Sequence, residues 1–134
     1  MRRRLLLDTF AVLAWLQDEP PAAQVDSLLA GVRRGKAELL MTLINLGELY
    51  YILRRSLSAV EVRTLVDQLL SIPITVVPIS EELVWAAAEI KAANPLSYAD
   101  CLAVAAAQSE RARIVTGDPE FKRVEGMVAL EWIA

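Results

Sequence analysis

The stretch Arg4-Leu5-Leu6-Leu7-Asp8-Thr9 sets a short apolar run against a single carboxylate. A run this short and apolar on both faces reads as a central strand of a parallel sheet, which helices cover on either side. The charge at its carboxyl end is then costly, because a carboxylate is rarely buried unless it is paired or bound to a metal. Asp8 is the only charge between Leu5 and Gln17. Glu48 is isolated in the same way between Thr42 and Leu53, and Asp100 between Ala92 and Gln108. With Asp118 as a fourth member, several carboxylates converging on one cleft would suit a hard divalent cation.

Working outward from that strand, the pattern alternates. A helix begins near Thr9 and runs through Trp15-Leu16, with Pro20-Pro21 as punctuation and Pro21 suited to a first helical turn. Val25, Leu28, Leu29 and Val32 recur at helical spacing up to Gly35. Leu39–Thr42 reads as a second strand, Leu43–Arg55 as a helix, and Ser58–Leu70 as another, its start marked by the capping-box pair Ser58 and Glu61. Thr75–Val77 is a third strand stopped by Pro78, Glu81–Ala93 a helix, and Ser97–Gln108 a helix of Ala, Leu and Val. Arg113–Thr116 is strand four, Glu120–Arg123 a helical turn, and Met127–Leu130 strand five. Strands alternating with helices predict a three-layer α/β/α domain around a mostly parallel five-stranded sheet. Residues 1–134 are expected to form one domain, with no repeat or dividing linker.

Composition narrows the function. The chain is 55% hydrophobic and 23% charged, enough apolar matter for a sizeable core and unlike a disordered chain. A net charge of -3 is not that of a protein gripping nucleic acid with its whole surface. There is no histidine, so histidine triads and histidine metal sites are excluded. The lone Cys101 allows no internal disulfide. Met1-Arg2-Arg3-Arg4 followed by leucines begins like a secretory signal, but the run meets Asp8 and lacks a small-residue cleavage site. No stretch is long enough to span a bilayer, and the expected location is the cytoplasm.

In an open parallel sheet, ligands bind beyond the carboxyl ends of the strands. Asp8 falls just past strand one, Asp118 just past strand four, Asp100 in the first turn of the helix leading to strand four, and Glu48 one or two turns into the helix after strand two, with Asn45 on the same face. Structural roles compete. Asp8 can cap the helix at Thr9, Asp118 can cap a turn that has Pro119 at its first position, and Asp100 has capping-box spacing from Ser97. Glu48 has no such local explanation. A receiver domain would need paired acids after strand one, and a haloacid-dehalogenase-like phosphatase would need Asp-x-Asp where the chain has Asp8-Thr9-Phe10. No Gly-rich phosphate loop is present.

Four pieces of the chain then stand out together: Leu5-Leu6-Leu7-Asp8-Thr9; Thr42-Leu43-Ile44-Asn45-Leu46-Gly47-Glu48-Leu49; Leu96-Ser97-Tyr98-Ala99-Asp100-Cys101-Leu102-Ala103-Val104-Ala105; and Ile114-Val115-Thr116-Gly117-Asp118-Pro119-Glu120-Phe121. In order and spacing they resemble the PilT N-terminus (PIN) domain, in particular the VapC-type toxins of bacterial and archaeal toxin–antitoxin pairs. The resemblance implies that Asp8, Glu48, Asp100 and Asp118 are the metal-binding, catalytic acids, with Thr9 and Thr116 as supporting hydroxyls and Asn45 as a supporting amide. It implies strand order 3-2-1-4-5, a homodimer, and a cognate antitoxin that covers the acidic cleft. The reaction it implies is Mg²⁺- or Mn²⁺-dependent hydrolysis of RNA phosphodiesters, leaving a 5′-phosphate and a 3′-hydroxyl.

RNA must also be held. Arg54-Arg55 follow the Glu48 helix and Lys122-Arg123 follow Asp118, so these are the candidate RNA contacts; helix-end charge compensation is the competing role. Two other functions fit the same acids: a metal-dependent DNA nuclease, and a non-catalytic interaction module that keeps the acidic cleft.

Overall fold

The computed structural model describes residues 2–134. Its elements are β1 (Arg3–Leu7), α1 (Thr9–Leu16), α2 (Ala22–Arg33), β2 (Ala37–Thr42), α3 (Leu43–Arg54), α4 (Ala59–Leu70), β3 (Ile74–Val77), α5 (Glu81–Ala93), α6 (Tyr98–Glu110), β4 (Arg113–Thr116), a 3₁₀ helix (Pro119–Val124) and β5 (Leu130–Trp132). The five strands form one sheet in the order β3-β2-β1-β4-β5, and every pairing is parallel. The predicted three-layer architecture and strand order are both present.

β1 sits at the centre because its leucines serve both faces. Leu6 joins Leu40 and Ile114 in a core shared with α5 and α6, where Ala87, Ala103 and Ala106 let helix and sheet approach closely. Leu5 and Leu7 join Leu39, Met41 and Val115 in a second core with Val12, Val25, Leu49 and Val62 from α1, α2, α3 and α4. Alternate side chains of one strand thus enter opposite cores. Each fully buried leucine contributes about 2 kcal/mol of hydrophobic stabilisation, which fixes β1 and, with it, the position of Asp8.

Caps define where the helices begin. Ser58 and Glu61 complete the predicted capping box of α4. Thr42, Ser80 and Ser97 each accept a backbone N–H from the first turn of α3, α5 and α6. Gly35 ends the α2–β2 connection at φ +72, a left-handed conformation that L side chains rarely adopt. The last strand differs from expectation: β5 is Leu130–Trp132, not Met127–Leu130. The chain after Phe121 keeps coiling, with Met127 and Val128 donating to the Val124 carbonyl. Val128 therefore packs into the core, and Leu130 is the first residue paired with β4, opposite Ile114.

Candidate active site

The carboxyl ends of β1 and β4 lie side by side, with Leu7 paired to Val115. That register brings Asp8 beside Thr116. Asp8 caps α1 by accepting the Ala11 N–H at 2.8 Å through Oδ1, and its Oδ2 accepts the Thr116 hydroxyl at 2.5 Å. The same Thr116 oxygen accepts the Asp118 N–H at 3.0 Å. Asp118 caps the 3₁₀ helix by accepting from the Glu120 N–H at 3.0 Å. One hydroxyl therefore ties the two acid-bearing loops together. Capping and site-forming roles coincide in Asp8 and Asp118.

Thr9, the next residue of α1, donates its hydroxyl to Glu48 Oε1 at 2.6 Å, and Asn45 donates its amide to the same oxygen at 3.3 Å. Glu48 is thus held from two elements, its own helix and α1. Asn45 is fully buried, and its Oδ1 has no partner. Asp100 stands in the first turn of α6, where the Ser97 hydroxyl accepts its N–H at 3.2 Å.

The acids lie near enough for their charges to act on Asp8 and Asp100. Asp8 is 3% exposed, and its pKa rises to about 7. Burial is the main cause; the Thr116 and Ala11 hydrogen bonds oppose it, and the charges of Asp100 and Asp118 add to it. Asp100 rises to about 6, again mainly by burial, opposed by Ser97 and reinforced by Glu48, Asp118 and Glu120. Glu120 is a further acid near the site, in the first turn of the 3₁₀ helix that Asp118 caps and Pro119 opens.

None of the four acids makes an ion pair among the described residues. Nor do any three acidic, histidine or cysteine side chains there form a ready ligand cage. Asp8 has both oxygens engaged by local donors, and Glu48 and Asp118 have one each. The donor set still fits a divalent cation: it is all oxygen, partly desolvated and without a compensating positive charge.

Phe10 and Gly117 are further parts of the site. A methyl group on Gly117 would lie 2.6 Å from the Ile133 carbonyl oxygen and would collide with the Phe10 ring. Phe10 follows Asp8-Thr9, so its ring packs the α1 loop onto the Asp118 loop. The only sequence signal was a glycine between Thr116 and Asp118. Among the candidate RNA contacts, Arg123 pairs with Glu120 at 3.4 Å and donates to the Pro95 carbonyl. Arg54 donates to the Leu57 carbonyl at 2.9 Å, and Arg55 lies 5.1 Å from the Tyr51 ring centre. Both arginines lie almost two turns beyond Glu48, roughly 9 to 11 Å along the helix axis. Lys122 is exposed.

Similar folds are known. VapBC2 from Rickettsia felis, solved bound to a promoter DNA fragment, matches at 20% identity and TM-score 0.78 over 98% of this chain and 99% of that one. DNA-bound VapBC from Salmonella typhimurium matches at 20% identity and TM-score 0.76, over 98% of each chain. VapC20 of Mycobacterium tuberculosis, described as a sarcin-ricin loop cleaving toxin, matches at 17% identity and TM-score 0.74 over 94% of this chain and 98% of that one. These likenesses establish a shared fold. No curated protein matches the sequence. The model of the PIN domain matches residues 5–127, nearly the whole chain, and on that match the chain belongs to the PIN domain family.

Proposed function

We propose that this PIN domain is a metal-dependent endoribonuclease, the toxin of a toxin–antitoxin pair. Its carrying observation is the uncompensated carboxylate set around Asp8, which is pushed up to about 7 by burial and by its acidic neighbours. A structural acid of this kind would gain from a lysine or arginine, and none pairs with it. The absence of histidine is compatible with the same reading, because metal-assisted hydrolysis by carboxylates needs none.

In this reading Asp8, Glu48, Asp100 and Asp118 hold Mg²⁺ or Mn²⁺. Bound there, the ion supplies positive charge to the scissile phosphate and lowers the pKa of water. The protein's own groups set the geometry. Thr116 fixes Asp8 and the Asp118 loop together, and Thr9 with Asn45 holds Glu48. RNA as substrate is supported by the description of VapC20 as a toxin that cleaves the sarcin-ricin loop. A cognate antitoxin and a homodimer are part of the proposal, the antitoxin because several similar structures are toxin–antitoxin complexes.

Cleavage of tRNA, rRNA fragments and single-stranded DNA, run with Mg²⁺, Mn²⁺ or EDTA, tests this. RNA should be cut only with metal, and Asp8→Asn and Asp100→Asn should each cost at least about 100-fold in rate, as loss of a positioned electrostatic group does. Metal-dependent cleavage retained in both variants would sink the assignment. Cleavage of DNA alone would move it to the DNA nuclease.

A further inference from the structure

The acids gather at the carboxyl end of the sheet, and cations gather at the other. At the amino-terminal edge, Arg2 and Arg4 pair with Glu38, Arg4 also with Glu110, and Arg3 with Glu131. Those acids balance those arginines. Beside them Arg33, Arg34 and Lys36 are all exposed and make no ion pair among the described residues. Arg34 and Lys36 line one depression with Arg3, over Gly31 and Ala37. Gly31 belongs to the last turn of α2, and the left-handed Gly35 carries the chain from Arg34 to Lys36, so the backbone itself groups these cations. Arg113 extends the row, since β4 adjoins β1 with Arg113 opposite Leu5.

Compensation of the helix dipole does not account for the cluster. A helix carboxyl terminus carries roughly half a negative charge. Arg33, Arg34 and Lys36 bring three positive charges to the end of α2, so most of that charge faces solvent unneutralised. At the acidic end cations are fewer: Arg123 is engaged by Glu120 and the Pro95 carbonyl, which leaves Lys122 as the exposed cation next to Asp118. A polyanion approaching the acids therefore gains less attraction there than at the basic end.

We propose that Arg33, Arg34 and Lys36 form an exosite that grips the phosphates of a structured RNA at the end of the sheet opposite the acids. This rests on the nuclease reading for the identity of the polyanion. The five residues of β1 separate the two ends by about 17 Å, a span that a folded RNA can bridge around the edge of the domain. The exosite raises affinity for folded RNA without reading its bases, since phosphate contacts position but do not specify.

The test uses Arg33→Gln/Arg34→Gln/Lys36→Gln, which leaves every acid and its hydrogen-bond partners untouched. Binding of fluorescent tRNA is measured in EDTA across a salt series, and KM and kcat are measured with Mn²⁺. The expected result is a roughly tenfold weaker Kd at low salt, a log–log salt slope shallower by about two, a raised KM and an unchanged kcat. Arg33→Lys/Arg34→Lys/Lys36→Arg, which keeps the charges, should restore binding. Wild-type affinity and salt slope in the glutamine variant would overturn the exosite and leave the basic end to an acidic protein segment. Because binding is read in EDTA, a wild type that binds but does not cut keeps the exosite while the nuclease reading falls. A wild type that does not bind tRNA overturns the exosite.

Discussion

Asp8 joins two demands that conflict in the free protein. Its position is fixed by β1 and by the α1 cap, yet its charge is desolvated and repelled by Asp100 and Asp118. Its folded pKa of about 7 lies above the ordinary aspartate value of 3.8. Between these values the folded state binds more protons than the unfolded state, so stability falls as pH rises through that window. Asp100, raised from 3.8 to about 6, adds to the slope over the lower part. Without metal, the melting temperature should therefore drop from pH 5 to pH 8, and Asp8→Asn should flatten the drop. A metal-free profile that rises over this range in wild type would contradict the environment assigned to Asp8. At the neighbouring loop, Gly117→Ala forces a methyl against a backbone carbonyl and the Phe10 ring. Overpacking of this kind costs about 1–3 kcal/mol, and here the shift falls on the Asp118 loop. Loss of cleavage exceeding the loss of melting temperature is expected; a fully active variant would show that the loop tolerates the displacement.

Among the elements, those bounded by strong local chemistry were legible and the one bounded by tertiary context was not. The Ser58–Glu61 capping box, the apolar run of β1 and the Gly35 stop each act within a few residues, and each is where the pattern placed it. β5 is short, and its neighbours Met127 and Val128 are as strand-like as Leu130. What decides between them is the core position of Val128, which no local pattern records. The acids show the same division. Asp8, Glu48 and Asp100 stand out because each is a lone charge in an apolar stretch. The bonds that organise them, Thr9 to Glu48 and Thr116 to Asp8, join residues distant in the chain and needed the sheet order to appear. Ser58→Ala gives a control at this scale. It removes an exposed cap remote from the acids, so a loss of about 1 kcal/mol in a denaturant titration is expected, with RNA cleavage unchanged. A drop in cleavage at full occupancy of the folded state would couple α4 to the site.

For the whole molecule, one sheet carries a field from an acidic end to a basic one, and the acidic end governs how stability answers metal and pH together. Any ion that binds the native state alone stabilises it by mass action, by about 2.7 kcal/mol at a hundredfold excess over Kd, or roughly 10 °C for a domain of this size. Carboxylates must be ionised to bind the ion, so binding releases protons and strengthens with pH. At pH 5, Asp8 and Asp100 are largely protonated, and added Mn²⁺ should move the melting temperature little. At pH 8 both are ionised and repel one another in the free protein, so the same Mn²⁺ should raise it most. The metal-free and Mn²⁺ profiles are therefore expected to diverge with pH, one falling and the other holding level or rising. Asp8→Asn should bring them together, because it removes both the buried charge and a carboxylate proposed to hold the ion. Profiles that stay parallel from pH 5 to pH 8 would mean that Mn²⁺ binds away from Asp8 and Asp100.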